Sequence, residues 1–221
     1  RDLHSFPTRR SSDLAIYNNM TSFFKTFCAV SFAGILSACS TMNNNEAAPE
    51  KYSDLHFDNK KPIELMVKKI EVKSEFTPSF TRPNVEHLFP ISIEKTAKTW
   101  ANERLEAVDY SSDRVAEFII KDASVTEKEE KAEQLLQKDR LKYHANLSVL
   151  LKVTDNKSSA QTSVEAYREL SMPIDTNIED KEKYWNEMVV KLFNAFDEHM
   201  EMNIQKYLNM YIKGNTSITE Y

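Results

Sequence analysis

Between Lys142 and Thr154 every second residue is apolar, at Tyr143, Ala145, Leu147, Val149, Leu151 and Val153, and the chain returns from Ala160 to Ser171 after Asp155-Asn-Lys-Ser-Ser159. A period of two in runs joined by a short polar turn predicts a β-hairpin with one covered face. Ile63 to Lys73 also alternates, but its parity changes between Val67 and Ile70, which predicts a first strand with a bulge near Lys68-Lys69. Arg114 to Val125 carries Val115, Ala116, Phe118, Ile119 and Ile120 and reads as a central strand covered on both faces. Asp122-Ala-Ser-Val125 ends it, with Asp and Ser side chains suited to binding backbone groups and turning the chain.

Two segments have helical spacing instead. Ser92 can cap a helix of about five turns with Ile93, Ala97, Trp100, Ala101, Leu105 and Val108 on one face. Thr176 and Glu179 have the spacing of a capping box for a second helix running to about Tyr211, with Gly214 at its stop. Its inward face holds Trp185, Met188, Val189, Leu192, Phe196, Met200 and Tyr207. The charged stretch Thr126 to Arg140, with apolar Ala132, Leu135 and Leu136, predicts a short surface helix with a solvated face that leads into the third strand.

The order of main elements is β-α-β-β-β-α. It predicts an α+β two-layer sandwich, a four-stranded, largely antiparallel sheet with two long helices on one face, and a right-handed first crossover whose strands pair in parallel or skip a place. Tyr143, Leu147, Leu151, Val164 and Ala166 should lie on the covered face, against Trp100, Leu105, Trp185, Leu192 and Phe196.

Upstream of this domain the pattern changes. An apolar run from Thr26 to Leu36, preceded by Met20 and Lys25, closes on Leu36-Ser37-Ala38-Cys39. The run is short for a membrane span and right for the apolar core of an export signal. A cysteine at the cut has the form of a bacterial lipoprotein box, in which the Cys39 thiol receives diacylglycerol. Two or three acyl chains, at about 0.8 kcal/mol per buried methylene, make such an anchor effectively permanent. Ser40 rather than Asp after the cysteine favours, by resemblance to Gram-negative sorting, the inner leaflet of the outer membrane. The expected organisation is a non-native, adapter-like extension at 1–19, a signal at 20–38, a lipidated cysteine and flexible tether at 39–61, one periplasmic domain at 62–213 and a tail at 214–221.

Charge and composition then narrow the function. Of 29 basic and 34 acidic residues, four basic (Arg1, Arg9, Arg10, Lys25) and two acidic (Asp2, Asp13) precede Cys39, leaving 25 against 32 and a net charge of −7. That balance opposes binding to nucleic acid and electrostatic capture by a membrane. The cysteines are Cys28, inside the signal, and Cys39, so the exported domain has no thiol to pair. The glycines are Gly34 and Gly214, which excludes the glycine-rich loops that cradle a nucleotide phosphate.

His56, His87, His144 and His199 fall in separate segments without ligand partners at helical spacing, so no metal or other cofactor is expected. His199 sits near the apolar face of the last helix and reads as a hydrogen-bonded core residue. No Gly-x-Ser-x-Gly turn offers a nucleophile, and the expectation is a protein that is not an enzyme. The segment Phe76 to Pro90 stands out, with aromatic and large apolar side chains among three prolines. Phe76, Phe80, His87, Leu88 and Phe89 are the candidate surface for a ligand or partner, beside the simpler reading of a rigid plug at one end of the sandwich.

Pro83-Asn-Val-Glu-His-Leu-Phe-Pro90, Trp100-Ala101 with Arg104-Leu105, Asp122-Ala-Ser-Val125 and the Trp185 helix together resemble a group of alphaproteobacterial envelope lipoproteins without an assigned activity. At the level of topology the chain is similar to the auxiliary lipoproteins of ABC-type lipid transporters and to the lipopolysaccharide-assembly lipoprotein. The resemblance implies a membrane-anchored, non-catalytic transport or assembly accessory that binds a lipid or an envelope protein. The alternatives are a regulatory lipoprotein of cell-wall synthesis and a periplasmic enzyme.

Overall fold

The computed structural model describes residues 52–133 and 137–214. The extension, the signal, Cys39, Leu135, Leu136 and residues 215–221 lie outside the described residues. The elements are β1 (Ile63–Leu65), β2 (Lys69–Ser74), α1 (Ile93–Arg104), β3 (Leu105–Ala107), β4 (Val115–Asp122), β5 (Val125–Glu130), β6 (Arg140–Thr154), β7 (Ser159–Pro173) and α2 (Ile178–Tyr207).

The hairpin of β6 and β7 forms as its alternation predicts, paired without a break from Arg140–Pro173 to Thr154–Ser159. Asp155 closes its turn, accepting from the backbone N–H groups of Lys157 and Ser158 at 2.7 and 2.6 Å. These bonds, the Lys157 N–H first, lower the Asp155 pKa.

The main sheet has five strands and is mixed, not four-stranded and largely antiparallel. β2 runs parallel to β4, while β4, β5 and β7 are antiparallel to β6. The fifth strand is Val125–Glu130, where a surface helix was expected. β4 pairs with Ser148–Thr154 and β5 with Arg140–Ala145, so the two lie end to end along one edge of β6. A register shift after Ile120 separates them. Asp122 holds this kink, accepting from Ser124 N–H at 3.1 Å and from Asn146 Nδ2 at 2.7 Å. The chain therefore bends at Asp122 and continues instead of turning back. Ladder hydrogen bonds to β6 outweigh the weak strand preference of Glu and Lys.

The first predicted strand is two strands in different sheets. β1 pairs in parallel with β3 in a two-stranded sheet, and the chain crosses to the main sheet before β2. The parity change marks this crossing. Helix α1 is correspondingly shorter than expected, because the backbone becomes extended at Leu105 to meet β1. Ser92 caps it as predicted, accepting from Lys95 N–H at 3.3 Å. The cap of α2 is Asn177, whose Oδ1 accepts from Asp180 N–H at 2.9 Å, one residue beyond the predicted Thr176.

Both helices cover one face of the main sheet, and every residue expected at that contact is buried. Trp100 of α1 stacks on Phe118 of β4 with centroids 5.6 Å apart and meets Phe196 of α2 edge-on at 5.1 Å. Trp185 meets Tyr143 of β6 edge-on at 5.6 Å. Tyr207 and His199, expected inside, are exposed, since they lie outside the inward stripe formed by Trp185, Val189, Leu192, Phe196, Met200 and Ile204. Among the described residues no helix is long and apolar enough to cross a membrane.

Candidate functional site

Two gatherings of polar or exposed aromatic side chains among the described residues involve the helices and the loop that precedes α1. In the first, α1 and α2 each place one ionised group on an otherwise apolar stripe. Arg104 follows Ala97, Trp100 and Ala101 on α1, and Asp197 follows Val189 and Phe193 on α2; both are buried. Asp197 Oδ1 accepts from Trp100 Nε1 at 2.8 Å and from Arg104 Nε at 3.0 Å, and its Oδ2 pairs with Lys60. Arg104 also donates to Glu201 at 2.7 Å and to the carbonyl of Lys61. Burial by itself would raise the Asp197 pKa, but the bonds from Lys60, Trp100 and Arg104 outweigh it and hold the carboxyl below its ordinary value.

This cluster clamps the chain's entry into the domain. Residues 52–61, expected to belong to the tether, pack on both helices because Phe57 is buried, with its ring 5.9 Å from that of Phe193. Glu103 receives the Phe57 N–H at 2.5 Å and His56 Nδ1 at 2.7 Å, and the hydrogen bond to Glu103 raises the His56 pKa. Between the entry segment and α2 lies a cleft of about 590 Å³, lined by Leu55, His56, Phe57, Lys60, Asp197 and Met202 among others. Its buried carboxylate already has three partners, so the arrangement ties elements together. The sequence does not single it out: each apolar helix stripe carries one charge, and neither shows by itself that it faces the other. Trp100 and Arg104 of the Trp-Ala-x-x-Arg-Leu motif are the two donors to Asp197 Oδ1.

The second place is the loop between β2 and α1. Glu86 braces it, accepting from Ser79 N–H at 2.8 Å, and a single 3-10 turn spans Glu86–Leu88. The loop's return lies against β5: Val85 N–H donates to Val125 O and Glu127 N–H to Pro83 O, both at 2.8 Å. Glu127 also pairs with Arg82 and accepts from the Tyr143 hydroxyl at 2.6 Å. Burial raises the pKa of that hydroxyl.

The candidate residues of this loop part company. Phe89 points into the core, stacked on Trp185 at 5.0 Å, and acts as the plug. Phe80, His87 and Leu88 are exposed, Phe80 at 73%, and Phe76 is half-buried. Phe80 and His87 pack together at 5.5 Å. A cleft of about 210 Å³ opens here, lined by Phe76, Pro78, Phe80, His87, Phe89 and Ile93 among others. Leu88 is not among its lining residues. Cys39 lies outside the described residues.

No protein-family profile and no curated protein matches the chain. Among solved structures it is similar to a minor lipoprotein from Acinetobacter baumannii, at 13% identity over 65% of this chain and 96% of that one, with a TM-score of 0.34. It is also similar to rare lipoprotein B from Shewanella oneidensis, at 11% identity over 62% of this chain and 98% of that one, with a TM-score of 0.30. The functional reading therefore rests on this chain's own residues. Among the described residues no group of three or more His, Cys, Asp and Glu side chains is placed to hold a metal ion.

Proposed function

We propose that the chain is a lipid-anchored protein of the bacterial envelope, held by acyl chains on Cys39 and facing the periplasm, and that its domain binds a partner without catalysis. The observation that carries this reading is the apolar run ending in Leu36-Ser37-Ala38-Cys39, followed by the small and polar Ser40 to Glu50. Ser40 favours the inner leaflet of the outer membrane.

Two features favour a surface function over a carrier that encloses a lipid. The space between helices and sheet is filled by Trp100, Phe118, Phe193 and Phe196. The larger cleft beside the entry segment, about 590 Å³, is lined by Lys60, Asp197, Glu198 and Glu201, charged groups that an acyl chain would have to desolvate, and the cleft beside Phe80, about 210 Å³, is smaller than the roughly 300–1,000 Å³ that sites for drug-sized ligands need. The end of an acyl chain could enter it.

The test is purification of the full lipoprotein from its own membranes, with mass spectrometry of both the protein and the lipid extract. The expected result is an envelope protein in stoichiometric amount, without non-covalent lipid in fixed proportion. A lipid held in fixed proportion would make the protein a carrier. Neither partner nor lipid would remove the binding role.

A further inference from the structure

We propose that the end of the sandwich bearing the Phe76–Pro90 loop rests on the bilayer, with Phe80 and Leu88 seated at the boundary between headgroups and acyl chains of the leaflet that holds the Cys39 lipid. The proposal deepens the anchored reading and rests on it. Its first support is the presentation of apolar groups. Phe80 and Leu88 are exposed on a loop whose backbone is fixed by Glu86, Val125 and Glu127. Phe89, next to Leu88, stacks on Trp185, and the neighbouring Tyr184 is exposed beside them. Both helices begin at this end, where Ile174 and Ile178 are exposed as well.

The second support is where the chain enters the domain. Asp54 pairs with Lys95 at 2.5 Å, three residues beyond the Ser92 cap. His56 and Phe57 then bind Glu103, and the Lys61 carbonyl binds Arg104 at the last turn of α1. The entry segment thus runs down α1 from the loop end. Twelve residues separate Cys39 from Tyr52, and a flexible chain of that length has an end-to-end reach of about 20 Å. Strand β6, 15 residues long, extends about 50 Å and carries the Asp155–Ser158 turn at its far end. A tether of that reach favours the loop end over the turn as the side nearest the leaflet.

The third support is charge. A mature chain of net −7 gains nothing from anionic lipid, so contact must come from apolar groups, as for side chains that dip into the interface. Binding by this end should need neither anionic lipid nor low salt.

The full lipoprotein, reconstituted in phosphatidylcholine vesicles, tests this. With Cys28 removed and Cys39 acylated, Thr81→Cys or Asn156→Cys supplies a single free thiol for an environment-sensitive fluorophore. The label at position 81 is expected to be shielded from aqueous iodide and quenched by nitroxide-bearing lipid about tenfold more than the label at 156. Added anionic lipid or salt should leave that ratio unchanged. Phe80→Ser with Leu88→Ser, in the Thr81→Cys background, should return the label to water.

A chain that floats with the vesicles while its two labels are equally open to iodide overturns the proposal and leaves the anchor standing. Shielding that appears only when envelope proteins are added overturns it too, and makes the loop a protein-binding face. A wild-type chain that does not float with the vesicles overturns the anchored reading itself, and the proposal with it.

Discussion

Asp197→Ala is expected to destabilise the domain by about 3–5 kcal/mol, because it leaves the buried Arg104 guanidinium without its main counter-charge and strips Trp100 Nε1 of its acceptor. Urea unfolding followed by the fluorescence of Trp100 and Trp185 reads this as a lower midpoint at unchanged slope. A loss below about 1 kcal/mol would mean that water already reaches the cluster. The same group sets a pH dependence. Its folded pKa is depressed, so its contribution is whole above the ordinary Asp value of about 3.9 and is lost as pH falls through the folded value. Wild type should therefore lose stability on acidification below about pH 4 more steeply than Asp197→Ala.

Trp185→Ala is expected to cost a similar amount, about 3–5 kcal/mol, through the cavity left between Phe89 and Tyr143. This position joins the helix layer, the sheet and the loop, so its loss should also free the loop backbone. Hydrogen exchange at the Val85 and Glu127 amides, both bonded between loop and β5, would show that as faster exchange. An unchanged thermal midpoint would contradict the packing and turn the Trp185 stripe toward a partner or solvent.

These two sites differ in how far the sequence revealed them. The Trp185 contact was legible, because helical spacing on one element and strict alternation on the other leave one way to bury both. The Asp197 cluster was not read, since a lone carboxylate in a helix pattern gains meaning only when the opposing Arg104 is known to face it. Strand β5 was hidden for a related reason. Val-Thr-Glu-Lys-Glu-Glu has no apolar alternation, and its extended form depends on the free edge of β6 beyond the Asp122 kink. The split between β1 and β2 left a mark, the change of parity, but a bulge and a change of sheet produce the same mark. Which one holds depends on β3, whose Leu105 continues the helical spacing of α1 in sequence while pairing with Ile63 in space. In the candidate loop, composition marked the segment correctly as distinctive. It could not separate Phe89, which faces inward, from Phe80, which faces out.

The central claim is the anchor, and its most direct measurement is acylation in a bacterial host. Cells expressing the chain are grown with an alkyne-tagged fatty acid and the protein is isolated. The wild type should carry the tag on a mature N-terminus beginning at Cys39, and Cys39→Ala should carry none. A tag that persists in Cys39→Ala, or a wild type that acquires none, would contradict the account.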